Sequence, residues 1–224
     1  MKRWVLRGCK TPYKEIVATS KELNIPVIIG QLLAVRGYDT KEKIQRYFNV
    51  SMGALHDPKL MKDMDKGCRI ILDAIKKGRK IAVFGDYDAD GITSTSILML
   101  AIKRLGGVAR YYIPARETEG YGLNNQAVRD LAAEGVELLL TCDNGISAFE
   151  QVDLAKSLGM TVVIADHHEV PFEMENGQTK YILPNADAII NPKQADCPYP
   201  FKCLCAGTIA YKLTQYLYML AGKD

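Results

Sequence analysis

Three short segments of the sequence carry acidic residues and histidines in combinations that can perform chemistry. They are residues 85–91, which include three aspartates at alternate positions, residues 143–145 and residues 166–169. Several carboxylates in one cleft repel each other unless cations neutralise them. Aspartate oxygens combined with an imidazole suit a divalent ion such as Mn²⁺, with Mg²⁺ next. Two such ions sharing a carboxylate would activate a water and stabilise charge on a phosphoryl group, so the segments predict phosphoester hydrolysis.

Each segment also has a simpler explanation when it is considered alone. The aspartates after Gly85 could form a solvated turn, Asp143-Asn144-Gly145 is a common turn sequence, and His167-His168 could lie on the surface. All three segments, however, directly follow predicted strands of one sheet. One shared site explains this placement better than three unrelated turns.

The residues after the first segment indicate a helix end that faces an anion. Gly91 is expected to open a helix and to let its backbone approach an anion at the positive helix end. Thr93 and Ser94 are placed either to donate further hydrogen bonds or to cap the helix.

The elements that must position these segments alternate from about residue 65 onward. Strands are predicted at residues 80–85, 108–114, 137–142, 160–165 and 188–191. Helices are predicted at residues 68–77, 92–105, 125–134 and 206–220, and one more is predicted to open with a capping box of Ser147 and Glu150. This alternation predicts an α/β fold with a mostly parallel sheet of about five strands flanked by helices. In such sheets, functional groups gather beyond the carboxyl ends of the strands.

The first part of the chain has a helical pattern instead. One helix candidate spans residues 20–33 and is interrupted by Pro26, and another spans residues 41–48 with Thr40 as its N-cap. We therefore predict a helical N-terminal extension at residues 1–64 and a catalytic domain at residues 65–224.

The composition narrows the class of protein without choosing a substrate. The hydrophobic fraction of 48% and the charged fraction of 25% are typical of a globular chain, and the formal net charge of +3 permits a polyanionic partner. No apolar run reaches roughly 18 residues and no signal-peptide core follows Met1, which predicts a cytoplasmic protein without membrane contact. Cys197, Cys203 and Cys205 lie close together, but the lack of a Cys-x-x-Cys pair or a nearby histidine argues against zinc.

Taken together, the motifs resemble those of the RecJ branch of the DHH phosphoesterase superfamily. Residues 86–91 resemble the first motif of that branch, residues 143–147 resemble the second, and Asp166-His167-His168 is the triplet that names the superfamily. Residues 113–116 and 119–123 resemble the segment between the first two motifs. The triplet alone indicates the superfamily, whereas the first motif combined with Glu-Gly-Tyr-Gly-Leu at 119–123 points to the RecJ branch.

The resemblance implies a role for each candidate site residue. The metal ligands would be Asp88, Asp90, Asp143 and His167, with Asp143 bridging two Mn²⁺ or Mg²⁺ ions. The catalytic residues would be His168, which donates to the scissile phosphate or the leaving group, with Asp86 and Asp166, which orient or supplement the ligands. The substrate contacts would come from Arg116, Tyr121, Gly122 and Asn144.

The resemblance also implies an activity and partners. The family removes nucleotides processively from the 5′ end of single-stranded DNA, in DNA repair and recombination. We expect single-stranded DNA as the substrate, a single-strand-binding protein or a helicase as the protein partner, and a monomer. The family's fourth acidic motif and its second, substrate-binding domain are not found up to residue 224, and residues 203–212 are less glycine-rich than usual, so we expect a fragment of a longer protein.

Three alternatives remain open at this stage. A related DHH phosphodiesterase for short oligonucleotides or cyclic dinucleotides, or a pyrophosphatase, would keep the chemistry and change the substrate. A haloacid-dehalogenase-type phosphatase would use Asp88 as its nucleophile, but the triplet at 166–168 does not fit its later motifs. A non-catalytic DNA-binding or scaffold relative would be expected to have lost acidic residues, and the motifs here are intact.

Overall fold

The structure is a computed structural model that describes residues 8–49, 51–175 and 177–223. The chain forms two compact units, Met1–Leu55 and His56–Asp224. Met1 and the residues directly after it, on which the signal-peptide expectation depends, lie outside the described residues. Within those residues, none of the helices combines the length and apolar character that a membrane span requires.

The first unit is helical, as its sequence pattern predicts. Its elements are the helices α1 (Tyr13–Glu22), α2 (Val27–Val35) and α3 (Lys41–Phe48), with a 3-10 turn at Met52–Ala54. Pro26 is the N-cap of α2, so the predicted interruption separates two helices. Thr40 caps α3 by accepting a hydrogen bond from the Lys43 amide at 3.3 Å, which confirms the predicted helix start.

The second unit is built around one parallel sheet of five strands. The strands of this unit, which include two outside that sheet, are β1 (Lys80–Phe84), β2 (Val108–Tyr112), β3 (Leu138–Cys142), β4 (Thr161–Ala165), β5 (Phe172–Glu175), β6 (Gln178–Tyr181) and β7 (Ala188–Ile190). Its helices are α4 (Met64–Lys76), α5 (Ala89–Arg104), α6 (Asn125–Ala133), α7 (Phe149–Ser157) and α8 (Ala206–Ala221). The sheet order is β2-β1-β3-β4-β7, and every neighbouring pair is parallel. The predicted α/β fold with a parallel five-stranded sheet is confirmed.

The strand order reverses its direction between β1 and β3. From β1 the chain passes through α5 to β2 on one side, whereas β3 is followed by β4 and β7 on the other side. A crevice forms beyond the carboxyl ends of the strands at such a reversal. The first acidic segment follows β1 and the second follows β3, so the fold brings both segments to this crevice.

Two buried layers hold the sheet between its helices. Ile81 and Val83 of β1 pack in the layer that contains α4, α5 and α8, whereas Ala82 and Phe84 pack in the layer that contains α6 and α7. All four residues are at most 1% exposed. Because helices cover both faces, the inner strands are apolar along nearly their whole length. The strand ends that carry the acidic segments therefore belong to a well-packed core.

A hairpin between β4 and β7 is absent from the sequence-based prediction. Its strands, β5 and β6, pair in antiparallel register, with Phe172 opposite Tyr181. All residues of both strands are exposed. A hairpin that buries neither face leaves no core-facing apolar pattern in the sequence, which explains why the prediction missed it.

The helix after the first acidic segment starts earlier than predicted. α5 begins at Ala89 because the Asp88 carboxylate accepts hydrogen bonds from the amides of Asp90 and Gly91, each at 2.9 Å. Asp88 is therefore the N-cap, and the prediction that Thr93 or Ser94 caps the helix is wrong.

The prediction that Ser147 and Glu150 form a capping box at the start of α7 is also wrong. α7 begins at Phe149, and its N-cap is Ala148, which makes no side-chain cap bond. The Ile146 amide donates to the buried Asp166 carboxylate at 3.0 Å. This tertiary bond fixes the loop before the helix, and Ser147 lies one position too early to cap it.

Candidate metal centre

Carboxylates and imidazoles from three strand ends meet at the crevice. Asp86 and Asp88 follow β1, Asp143 follows β3, and His167 and His168 follow β4. One oxygen from each of Asp86, Asp88 and Asp143 lies within 4.8 Å of the others, and so do ligand atoms of Asp143, His167 and His168. Asp143 belongs to both groups, which is the position expected of a carboxylate that bridges two cations.

Asp143 occupies a buried position with an uncommon backbone conformation. Its φ is +64°, in the left-handed region that aspartate and asparagine tolerate better than most residues, and it is only 2% exposed. Its Oδ1 lies 3.0 Å from His167 Nε2. Burial, together with the carboxylates of Asp90 and Asp88, raises the pKa of Asp143 to about 7. A carboxyl group this hard to ionise indicates a cluster with too little positive charge.

Asp86 and Asp88 lie in different environments although they are two residues apart. Hydrogen bonds from the backbone amides of Gly91 and Asp90 lower the pKa of Asp88. Asp86 is 1% exposed, and its burial, reinforced by the charge of Asp88, raises its pKa. Within the described residues, Asp86 Oδ1 has no hydrogen-bond partner. A buried, unpartnered carboxylate oxygen is unfavourable, and a cation at the cluster would satisfy it.

Asp90 borders the cluster and is held by a second element. Its Oδ2 and Oδ1 accept hydrogen bonds from the amides of Ala206 at 2.7 Å and Gly207 at 2.8 Å, at the start of α8. Its Oδ2 also lies 3.6 Å from His167 Nε2. Asp90 therefore faces the cluster from the side of His167.

Asp166 orients the two histidines from a fully buried position. Its Oδ1 accepts hydrogen bonds from the His167 amide at 2.7 Å, the His168 amide at 3.2 Å and His168 Nδ1 at 2.7 Å. Although burial acts in the opposite direction, the bonds from His168 and Ile146 lower the pKa of Asp166. The hydrogen bond to Asp166 in turn raises the pKa of His168. Asp166 is therefore a carboxylate that holds the imidazole in one orientation and favours its protonated form.

Tyr121 connects the His168 ring to the end of β3. Its hydroxyl donates to the Asp143 carbonyl oxygen at 2.9 Å and lies 3.2 Å from His168 Nε2. A phenol has one proton, so its oxygen can only accept from Nε2 when that proton is used toward Asp143. Both nitrogens of His168 then carry protons, one toward Asp166 and one toward Tyr121. This arrangement agrees with the raised pKa of His168.

The residues expected to contact substrate differ in their surroundings. Arg116 is exposed, and its guanidinium lies 5.3 Å from the centre of the Tyr87 ring. Gly122 is buried with a φ of +76° and lies next to Asn144. Asn144 is 2% exposed, and its Nδ2 donates to the carbonyl oxygens of Gly85 at 3.1 Å and of Cys142 at 2.9 Å. The Asn144 amide therefore ties the ends of β1 and β3 together.

Two hydroxyl groups that were expected to donate to an anion donate to carbonyl oxygens of their own helix. Thr93 Oγ1 donates to the Ala89 carbonyl at 2.5 Å, and Ser94 Oγ donates to the Gly91 carbonyl at 3.0 Å. Both bonds lie within α5, because serine and threonine in a helix readily bond to the preceding turn. The expectation that these hydroxyls donate to an anion is corrected accordingly.

Asn191, which the sequence reasoning left without a role, supports the histidine segment. It is fully buried at the end of β7, its Nδ2 donates to the His168 carbonyl at 3.0 Å, and its Oδ1 accepts from the Lys193 amide at 2.8 Å. The available signal was its position as the last residue of a predicted strand, at the same sheet edge as the three acidic segments.

Comparisons with known proteins agree on one family. The family described as "DHH family, N-terminal domain" matches residues 80–224. The single-stranded-DNA-specific exonuclease RecJ of Bacillus subtilis (strain 168) is 37% identical over 215 residues, covering 96% of this chain and 26% of that protein. The RecJ of Escherichia coli (strain K12) is 37% identical over 190 residues, covering 84% of this chain and 31% of that protein. The chain thus spans about a quarter to a third of the length of these relatives.

Solved structures give the same result at the level of the fold. A crystal structure of exonuclease RecJ bound to manganese has a TM-score of 0.63 and 28% identity, covering 73% of this chain and 39% of that chain. RecJ from Thermus thermophilus in complex with Mn²⁺ has a TM-score of 0.71 at 22% identity, covering 97% of this chain and 29% of that chain.

Proposed function

Because this chain belongs to the DHH family, we propose that it carries the catalytic centre of a metal-dependent hydrolase that degrades single-stranded DNA from an end. One observation carries the proposal: the buried Asp143 is shared by an all-carboxylate group with Asp86 and Asp88 and by a mixed group with His167 and His168. This is the donor arrangement that two-metal phosphodiester hydrolysis requires. The similarity to curated single-stranded-DNA-specific exonucleases supports the substrate.

The donor set fits Mn²⁺ or Mg²⁺. The raised pKa of Asp143 and the unpartnered Oδ1 of Asp86 are both relieved by a nearby cation. Asp88, Asp143 and His167 would hold the ions, with Asp86 and Asp90 completing the sites. Oxygen donors with one imidazole favour Mn²⁺ slightly over Mg²⁺, and the manganese-bound relative supports that choice. Bound ions of this kind supply Lewis-acid stabilisation of a phosphoryl group and lower the pKa of water.

His168 supplies the proton on the protein side. With Nδ1 bonded to Asp166 at 2.7 Å, its Nε2 lies 3.2 Å from the Tyr121 hydroxyl, and in the protonated ring this nitrogen carries a proton. A phosphate that displaces this contact receives a charge-assisted hydrogen bond from the same nitrogen. Asp166 holds the ring in position and stabilises its cationic form, so His168 donates to a phosphoryl or leaving-group oxygen.

Single-stranded DNA would run past an aromatic and basic rim. Tyr87 and Tyr121 lie with ring centres 6.5 Å apart, and Arg116 lies over the Tyr87 ring. Aromatic rings next to a cation bind single strands through base stacking and phosphate contacts, and an exposed unpaired base is needed for the stacking. This rim supports single-strand selectivity, with Arg116 as the phosphate contact.

Several finer assignments belong to the same proposal and are based on the family resemblance. They are 5′-end polarity, a role in DNA repair and recombination, a cytoplasmic location, a monomeric state, a single-strand-binding protein or helicase as partner, and the division into an extension at 1–64 and a catalytic domain at 65–224.

Hydrolysis of end-labelled single-stranded DNA with Mn²⁺ tests the proposal. The gene product that contains this chain is compared with its Asp143→Asn variant, because asparagine keeps the side-chain shape and tolerates the positive φ. Asp143-dependent release of nucleotides from the 5′ end is expected. Cleavage restricted to dinucleotides or pyrophosphate would move the protein to a sister activity, and no cleavage of any phosphoester would leave a non-catalytic DNA-binding relative.

A further inference from the structure

A cavity of about 250 Å³ opens beside the His168 ring. Its wall includes His168 and Asp166, but within the described residues none of Asp86, Asp88 and Asp143 contributes to it. We propose that this cavity binds the sugar and base of the nucleotide whose phosphate lies at the carboxylate cluster. The proposal rests on the proposed function, because it takes the cluster to be the phosphate site.

The position of the cavity follows from the double role of His168. A ligand atom of His168 lies within 4.8 Å of those of Asp143 and His167, and the same ring forms part of the cavity wall. A phosphate held against His168 must have its sugar and base attached within a few bonds. The cavity is a half-open space directly next to that ring, so it can hold them.

The charge of the lining favours a neutral occupant. Within the described residues no lysine or arginine lines the cavity, and its two charged groups, Asp166 and the His168 ring, are bonded to each other, with the Ile146 amide also bonded to Asp166. Tyr121, Leu123 and Ala148 contribute aromatic and aliphatic surface. Such a wall accommodates the face of a base and the carbons of a sugar, whereas a phosphate would require cationic or amide donors.

An anion at the start of α7 is the competing occupant. The first amides of that helix have no side-chain cap, and an uncapped helix start attracts anions. However, Phe149 and Glu150, which carry the first helical amides, are not part of the lining. The acidic Glu150 in the first turn also offsets the positive end of the helix.

Ser147 and Gln151 are two uncharged polar residues of the wall. Within the described residues, neither side chain takes part in a hydrogen bond. A hydroxyl and a carboxamide each offer both donor and acceptor groups, and the carboxamide can rotate to exchange them. These two residues can therefore satisfy the edge of any of the four bases. This tolerance is what an exonuclease needs, because it must accept every base in turn.

Binding of mononucleotides to this chain tests the proposal without any hydrolysis. Backbone amide NMR shifts are followed during titration with dAMP or dTMP in Mg²⁺, and 2-deoxyribose 5-phosphate serves as the matched probe without a base. We expect both mononucleotides to shift the amides of Gly145 and Gln151 and to bind roughly tenfold more tightly than the sugar phosphate.

Two variants and one control locate the effect. Gln151→Leu should weaken mononucleotide binding by about threefold to tenfold while leaving sugar-phosphate binding unchanged. Ala148→Phe, which fills the cavity, should abolish the preference for the mononucleotide over the sugar phosphate. Gln126→Leu removes an exposed glutamine of α6 outside the lining and should change neither affinity.

The outcomes separate this proposal from the proposed function. Equal affinity for the mononucleotides and the sugar phosphate overturns the cavity assignment, even if the gene product degrades single-stranded DNA as proposed. Inorganic phosphate that shifts the same cavity amides also overturns it, in favour of an anion at α7. A base-dependent, Gln151-dependent affinity supports the cavity assignment even if single-stranded DNA is not hydrolysed.

Discussion

The Asp90 carboxylate accepts a hydrogen bond from the backbone amide of Ala206 at 2.7 Å, and the two residues lie 116 positions apart in the chain. The neighbouring amide of Gly207 donates to the other carboxylate oxygen at 2.8 Å. The start of a helix carries partial positive charge and free amide donors, so it stabilises an ionised carboxylate. α8 therefore sets the position of a carboxylate at the edge of the metal cluster.

Replacing Ala206 with proline removes this amide donor with little change to the helix. Ala206 is the first residue of α8, where proline is favoured, and Cys205 before it is extended with ψ at 164°, as a residue before proline must be. Ala206→Pro should weaken Mn²⁺ binding by about tenfold, the range seen when a contact that orients a ligand is lost. Calorimetric titration of the metal-free chain with Mn²⁺ measures this change.

Lys41→Pro is the matched control for that experiment. Lys41 is likewise the first residue of a helix, α3, and follows the extended Thr40. It should leave Mn²⁺ affinity unchanged. If Ala206→Pro binds Mn²⁺ as tightly as the unmodified chain, α8 does not position Asp90 for the metal.

Asp166→Asn should lower kcat through His168 rather than through substrate binding. The asparagine cannot stabilise the imidazolium as a carboxylate does, and its NH2 group replaces one of the two carboxylate oxygens, so a donor faces either the Ile146 amide or the His167 amide. We expect kcat to fall by roughly 10- to 100-fold with little change in KM, together with a loss of about 1–3 kcal/mol in the free energy of unfolding. Steady-state kinetics on single-stranded DNA and thermal denaturation measure the two effects.

Asp187, a similar carboxylate at the opposite edge of the sheet, provides a control that separates the effect on kcat from the effect on stability. Asp187 accepts hydrogen bonds from the Val162 amide at 2.7 Å and from Lys156 at 2.6 Å, at the start of β7. Asp187→Asn should reduce stability and leave kcat unchanged. Equal losses of kcat in both variants would mean that Asp166 acts only through stability.

The sheet and the meeting of the acidic segments could be predicted because local patterns encode them. Apolar runs of strand length mark β1, β3 and β4, and parallel strands bring their carboxyl ends to one edge. That rule places Asp143 and His167 at one edge, and because β3 and β4 are neighbouring strands their side chains lie 3.0 Å apart. A motif that directly follows a buried strand has little freedom in where it lies.

Contacts between distant parts of the chain could not be predicted in this way. The bond from Ala206 to Asp90 depends on how α8 packs against α5, and no local pattern records it. The sequence pattern predicts that Gly91 lets the backbone approach an anion. The structure shows another reason for a glycine here, because a Cβ at this position would lie 2.5 Å from the Asp86 carbonyl oxygen. The helix start and the loop before it are packed together, so glycine is required by the close approach of the Asp86 backbone.

Asp143→Asn should stabilise the metal-free chain at neutral pH. The pKa of Asp143 is about 7 in the folded chain against an ordinary value of 3.8, so folding favours the protonated form. Asparagine resembles that form, cannot ionise and tolerates the positive φ. The gain at pH 8 should be on the order of 2–4 kcal/mol, since one pKa unit corresponds to about 1.36 kcal/mol. Thermal denaturation in the presence of a chelator measures it.

The pH dependence gives the sign of this effect. Between pH 4 and pH 7 the folded chain holds a proton on Asp143 that the unfolded chain has lost. The protonated Asp143 therefore contributes fully to the free energy of unfolding below about pH 4, and this contribution is lost as pH rises through about 7. The advantage of Asp143→Asn should grow over the same range and disappear when Mn²⁺ is added. An advantage that is equal at pH 5 and pH 8 would contradict the electrostatic explanation.

Arg116→Ala should weaken binding of single-stranded DNA and leave Mn²⁺ affinity unchanged. The exposed guanidinium lies over the Tyr87 ring and is free to contact a phosphate. The affinity for DNA falls as salt rises, and the slope of log affinity against log salt concentration reports the number of phosphate contacts. Loss of one contact should make this slope shallower by about 0.7 for a single strand. Fluorescence anisotropy with labelled DNA at several salt concentrations measures this slope. Lys76→Ala, at the exposed end of α4, removes the same charge away from the crevice and should preserve the slope. If Arg116→Ala has the same slope as the unmodified chain, Arg116 does not contact a DNA phosphate.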